Sequence, residues 1–188
     1  ITVIYYKGGN GAGFAYLVGA ALTSNATPTT GLTSTVNVTD VAGQSIYLNN
    51  SDSSLDTLYW EHYSTSGLES MLNAEDLVVS NSITTASNFG FNDYKATLNW
   101  LNGTNNVTWI TNTNGLCAGN TEYEIQVKVN QNVKAIKVFT GAWRATGTAT
   151  LYHDGILKAT SSTWTTGDDG IARCVTFTIN TSSEEVVT

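Results

Sequence analysis

The stretch Glu122–Val129 alternates without a break: Tyr123, Ile125, Val127 and Val129 share one face, and Glu122, Glu124, Gln126 and Lys128 share the other. A two-residue period puts successive side chains on opposite sides of a strand. A chain built from such segments has one apolar face per strand to bury. The pattern recurs later, where Ala149 and Leu151 alternate with Thr148 and Thr150, and Val175, Phe177 and Ile179 alternate with Cys174, Thr176 and Thr178. Strands are also expected over residues 1–6, 14–22, 35–41, 45–49, 94–100, 106–111, 134–140 and 156–161. Asn102-Gly103 and Asp154-Gly155 read as hairpin dipeptides, and residues 167–170 as a further turn. Only Ser66–Leu77 suggests a helix, from the capping-box spacing of Ser66 and Glu69 and the stripe Leu68, Met71, Leu72. The expectation is therefore all-β: a two-sheet antiparallel β-sandwich, jelly-roll-like, with at most one short helix.

The length of 188 residues suits one domain over residues 1–188. Charged residues are only 12% of the chain, about half the usual share. Thr, Ser and Asn supply the polar surface instead. A net charge of −7 with no basic stripe argues against nucleic acid as a partner. The apolar run Phe14–Leu22 falls short of the ~18 residues a membrane span needs, so no membrane insertion is expected. Cys117 and Cys174, both read as surface-facing, are either a disulfide of a secreted chain or two thiols.

Catalytic chemistry is thinly represented. The glycine run Lys7–Gly13 holds a Gly-x-Gly, but no capped helix follows it, so it reads as a hairpin or edge loop rather than a dinucleotide site. Alternate oxygen-bearing side chains from Asn50 to Asp56 faintly suggest a calcium loop, without its central glycine. Asx and Ser turns account for the same residues. Glycoside hydrolysis needs two facing carboxylates, and of Glu61, Glu122, Glu124 and Asp154 only Glu61 has an acid near it in an aromatic segment, Asp56. Two histidines, His62 and His153, make neither a zinc site nor a nucleophile triad. The chain is expected to be non-catalytic and to use no cofactor.

Binding a glycan asks for less: one to three aromatic rings to stack on a sugar, with a few donors and acceptors beside them. Five Trp and nine Tyr are available. Trp143 with Arg144 leads, because the pair falls in Gly141–Gly147, a segment that reads as a short glycine-bracketed connection between two strands. There the indole is either an exposed platform or a lid folded over the core edge. Trp60 with Glu61 and His62 follows. Trp164, in the polar segment Ser161–Thr166, is either exposed or buried. Trp100 and Trp109 read as core.

Trp60-Glu61-His62-Tyr63, Trp100-Leu101-Asn102-Gly103, Val138–Gly147 (Val-Phe-Thr-Gly-Ala-Trp-Arg-Ala-Thr-Gly) and Leu151–Gly155 occur in the order seen in a family of accessory β-sandwich modules. That family is appended to secreted Gram-positive glycan-degrading and cell-surface proteins. The chain resembles it over roughly residues 56–179, and Val138–Gly147 is the specific block. It departs where Tyr63 replaces a second Trp and where Tyr152-His153 replace small residues. The Asn- and Thr-rich style is also similar to starch-adherence proteins of gut clostridia. The resemblance implies an extracellular or cell-surface carbohydrate-binding module, monomeric and part of a larger multimodular chain. Its partner would be a polysaccharide or oligosaccharide, with an α-glucan such as starch as the first guess. A structural or adhesive spacer with no glycan ligand is the alternative.

Overall fold

The computed structural model describes residues 2–7, 14–23, 31–48, 54–59, 68–70, 76–83, 88–91, 94–101, 109–118, 122–166 and 170–188. Among them are eighteen strands and no helix. The first six are β1 (Thr2–Lys7), β2 (Phe14–Thr23), β3 (Thr33–Asp40), β4 (Ser45–Tyr47), β5 (Ser54–Tyr59) and β6 (Leu68–Ser70). Next come β7 (Val78–Ile83), β8 (Asn88–Phe91), β9 (Thr97–Leu101), β10 (Trp109–Asn112), β11 (Gly115–Ala118) and β12 (Glu122–Val129). The last six are β13 (Ala135–Trp143), β14 (Ala145–His153), β15 (Ile156–Thr160), β16 (Trp164–Thr165), β17 (Ile171–Asn180) and β18 (Glu185–Val187).

Two large sheets form the sandwich. Sheet A has the order β1-β12-β18-β14-β15, with β7 added to β12 and β16 to β14. Sheet B runs β3-β17-β13-β2-β11-β8, with β5 on β2 and β6 on β5. The inward rows read from the sequence meet here: Tyr123, Ile125, Val127, Ala149 and Leu151 of sheet A pack in one core with Ile136, Val138, Val175, Phe177 and Ile179 of sheet B. Fully burying one large apolar side chain contributes about 1.5–3 kcal/mol, so this layer dominates stability.

A third, small sheet, β10-β9-β4, covers part of the far side of sheet B. Its β4–β9 pair is parallel. Leu98 and Trp100 of β9, with Leu48 and Tyr94, close a second core over Phe139, Ala172 and Cys174. Tyr94 ties the layers together, since its hydroxyl lies 2.9 Å from the Thr140 carbonyl and 3.1 Å from that of Arg173. Thr140, which pairs with Arg173 of β17, lies where β13 meets β2 out of step, with Phe139 opposite Gly19 and Thr140 opposite Leu17. An irregular register of this kind bends the sheet locally.

Several expectations change. The helix over Ser66–Leu77 is replaced at Leu68–Ser70 by β6, which pairs with Thr57–Tyr59. Three residues of ladder outweigh a local helical signal, because strand pairing is decided by neighbours and not by propensity. Of the two readings of the Lys7–Gly13 run, a hairpin is ruled out because β1 belongs to sheet A and β2 to sheet B, and residues 8–13 lie outside the described residues. Asp154-Gly155 does turn as expected: φ is +51° and +70°, the two positive values a type I′ hairpin requires. The Asn102-Gly103 dipeptide and Asp168-Asp169 lie outside the described residues.

Asp56 is fully buried in β5, and its carboxylate accepts from the amides of Leu77 and Val78 at 2.9 and 3.2 Å. Those bonds fasten the start of β7 to sheet B. Asp56→Ala is expected to lower unfolding free energy by about 1–3 kcal/mol in urea titration, because the amides of Leu77 and Val78 lose their acceptor. Gly147 is opposite Trp164, and a Cβ there would lie 2.5 Å from the indole. Gly147→Ala is therefore expected to destabilise by about 1–3 kcal/mol or more, as overpacking does. Combining it with Trp164→Leu should recover part of that loss, read as non-additivity in the same titration.

Candidate functional site

β13 ends at Trp143 and β14 begins at Ala145, so a single residue, Arg144, carries the chain from sheet B to sheet A. The segment Gly141–Gly147 is thus not a surface connection. Gly141, Ala142, Ala145 and Gly147 are all buried strand positions. Trp143 stands at a sheet corner, half-buried, in register with Phe14 of β2. Arg144 is exposed and has φ +49°, a left-handed conformation that costs an L-residue about 1–2 kcal/mol. Both flanking strands are hydrogen-bonded into their sheets, which holds the residue there.

The corner sets the side-chain geometry. The Arg144 guanidinium lies 4.8 Å from the centroid of the Trp143 ring, a cation–π stack. On the outer face of sheet A, a row of hydroxyls runs between β14 and the β16 region. Thr146 and Thr165 approach at 3.1 Å, and Thr148 and Thr163 at 3.4 Å. The Thr166 amide donates to the Ala145 carbonyl at 3.2 Å and anchors that row at the corner. The corner itself thus brings together an aromatic ring and a guanidinium; because Ala142 and Ala145 both face the main core, Trp143 lies toward the outer side of sheet B and the threonine row on that of sheet A. The ring and guanidinium can stack on an apolar ring face and hydrogen-bond neutral polar groups.

The other sequence-predicted site residues fare differently. Trp164 is 4% exposed, with its indole against Gly147, and so offers no face to a ligand. Its removal from the candidate set follows from the β14–β16 pairing, which turns the ring inward. Trp60, Glu61 and His62 lie outside the described residues. The Cys117–Cys174 disulfide is overturned by strand order: β2 and β13 stand between β11 and β17. Three inter-strand steps of about 4.8 Å place the two backbones about 14 Å apart, against the roughly 4.4–6.8 Å between Cα atoms that a disulfide spans. Nor is Cys174 surface-facing, since it is 7% exposed and belongs to the second core.

A polar cluster not anticipated from the sequence joins β14 to the last strand. Glu185 receives the Ser183 hydroxyl at 2.7 Å, and its other oxygen lies 3.1 Å from His153 Nε2. An ionised carboxylate only accepts, so that imidazole nitrogen carries the proton. Asp154 is 3.6 Å from the same nitrogen. The carboxylate sits between hydroxyl and imidazole, so the histidine cannot draw a proton from Ser183, and the row is a strand clasp and not a nucleophile triad. His153 and Glu185 are 32 residues apart, and no local pattern links them. Among the described residues no group of three or more His, Cys, Asp and Glu side chains is arranged to hold a metal. No helix there is long and apolar enough to cross a membrane.

A cleft of about 280 Å³ lies between the Asn130–Asn132 turn and Ser182–Glu184. Its lining is entirely polar and offers no ring to stack on. Comparison with protein-family models, with curated proteins and with solved structures finds no match. The chemistry of the corner is left to speak for itself.

The Ser183 hydroxyl first, and the His153 hydrogen bond second, hold the Glu185 carboxyl below its ordinary value of 4.5. A depressed acid contributes stability above its unfolded pKa and loses it as pH falls through the folded one. Glu185→Gln should thus leave the melting temperature less sensitive to acid than the parent below about pH 4.5, followed by thermal melts across that range.

Proposed function

We propose that this protein is a non-catalytic carbohydrate-binding module that attaches a secreted or cell-surface bacterial protein to polysaccharide, with starch or another α-glucan as the first ligand to test. The observation that carries this reading is the Trp143–Arg144 stack at the β13–β14 corner. A left-handed non-glycine residue that persists against its own strain is a reasonable mark of function. Here it holds guanidinium donors over a half-exposed indole. Stacking on the ring and hydrogen bonding from Arg144 would together grip a sugar. The low charge of the chain, 12%, supports a neutral, hydroxyl-rich ligand over an ionic one.

Affinity gel electrophoresis in starch and in cellulose tests the proposal. The parent should be retarded in starch, and Trp143→Ala should lose that retardation. Arg144→Gly is the more selective variant: glycine takes positive φ without strain, so only the guanidinium is lost. It should weaken retardation while leaving the melting temperature unchanged or raised. Migration unretarded by every glycan tested would favour the spacer reading instead.

A further inference from the structure

An edge strand carries backbone amides and carbonyls with no ladder to fill, and folded sheets blunt such edges by shortness, bulges or charge. Among the described strands most edges here are blunted in this way. β4, β6, β8, β10 and β16 have four residues or fewer. β7 and β15 pair with their neighbours in a broken register. β3 is the exception. It follows β17 over all eight of its residues without a shift, and Thr33–Thr39 holds no charge and no proline.

Two hydrogen bonds set the direction of its unfilled groups. The Val41 amide, one residue past β3, donates to the Ala172 carbonyl of β17 at 3.2 Å, so the odd-numbered residues of β3 turn their amides and carbonyls toward β17. The Ile179 amide donates away from β3, to the Lys134 carbonyl at 2.7 Å, so Ser34 opposite it points outward, in agreement. Ser34, Val36 and Val38 therefore present N–H and C=O to the open edge. Among the described residues nothing is hydrogen-bonded to them there. Val36 and Val38 pack on the main core, and part of each side chain stays exposed.

The residues of this edge specify what can cover it. Thr35-Val36-Asn37-Val38-Thr39 reads the same in both directions. Laid antiparallel on a second copy about Asn37, it sets Thr35 opposite Thr39, Val36 opposite Val38 and Asn37 opposite itself. Val36 and Val38 then exchange both backbone hydrogen bonds with their counterparts, as the phase of the outward groups requires. Each cross-strand pair is like with like, valine on valine toward the core and threonine on threonine outside, and both kinds are favourable. Asp40, the nearest charge, falls opposite Ser34 and meets no like charge. β15, which runs beside β3 as an edge of sheet A, adds exposed aliphatic surface next to the seam, Ile156 at 61% and Leu157 at 52%.

We propose that β3 pairs with β3 of a second copy of this chain, giving an isologous dimer in which sheet B is continuous across the seam. The resemblance implies a monomer instead, and the pairing does not depend on the carbohydrate-binding reading. A seam one strand wide is smaller than the roughly 1,200–2,000 Å² of a standard interface, so the dimer is weak, with a dissociation constant of about 1 µM or above.

Sedimentation velocity on the full chain from about 1 µM to about 1 mM tests this, and the average mass should rise from one chain toward two. Val36→Pro removes an outward amide without touching the β17 ladder, and should hold the protein at one chain throughout. Asn37 is exposed, its amide 3.3 Å from the Thr39 hydroxyl, so charge placed there leaves folding intact and reads the register. Asn37→Lys and Asn37→Asp each put like charges together at the centre of the seam, and each alone should weaken association about tenfold at low salt. An equimolar mixture of the two should restore it. Should Val36→Pro fold poorly, the Asn37 variants decide. A one-chain mass at every concentration overturns the proposal. So does a parent-like dimer in folded Val36→Pro, or a mixture of the Asn37 variants that associates no better than either alone.

Discussion

Everything in this molecule leans on β13, which is hydrogen-bonded to β2 on one side and β17 on the other and buried on both faces. Ile136, Val138 and Ala142 face the main core, while Phe139 faces the second. A strand in that position has no polar face to spend, which is why Ala135–Trp143 reads as nearly continuous small and apolar residues and not as strict alternation. Lys137 is its one charged residue, and it lines the groove that the third sheet leaves uncovered. The same two-sided burial leaves the end of the strand, at half-buried Trp143, as the place where an aromatic side chain of β13 meets solvent.

The change of sheet at Arg144 follows from the same constraint. β13 is committed to sheet B up to Trp143 by its pairing with Phe14, and β14 is committed to sheet A from Ala145 by its pairing with Lys7. One residue must absorb the whole reorientation, so it takes a positive φ that a looser connection would avoid. Glycine would satisfy the backbone at less cost. An arginine there is locally disfavoured, and the cation–π contact offsets only about 0.5–1 kcal/mol of that at an exposed site.

Much of the sandwich was legible because amphipathic strands of eight or more residues announce themselves. Glu122–Val129 and Ile171–Asn180 lie where alternation puts them, and Asp154-Gly155 turns as its dipeptide requires. What escaped was short or doubly buried. The strands β6, β11, β16 and β18 have two to four residues each, too few for a period to show. Cys174 was correctly set on the face opposite Val175 and Phe177, yet that face is covered by a sheet whose existence no local pattern reveals. The Trp143 segment was misread for a related reason. Gly141 and Gly147 suggest a loop when read locally, but both are strand residues, and Gly147 is small because the Trp164 indole needs its place.

That substitution of roles among the tryptophans narrows the functional question more than any motif does. Trp100 is wholly buried over sheet B, and Trp164 is sealed against β14. Both stabilise layers, and their rings are spent on packing. Among the tryptophans whose side chains are described, Trp143 alone keeps part of its surface toward solvent. The net charge of −7 exerts no steering on a neutral ligand, so under the proposed role recognition would be made at contact, by ring faces and by hydroxyls that exchange water for similar groups. The threonines along β14 and β16 are suited to that exchange: their side chains are held by the ladder and lose little freedom on binding. Under the proposed carbohydrate-binding role, neutral polyols are the ligands for which such a surface is least costly to desolvate.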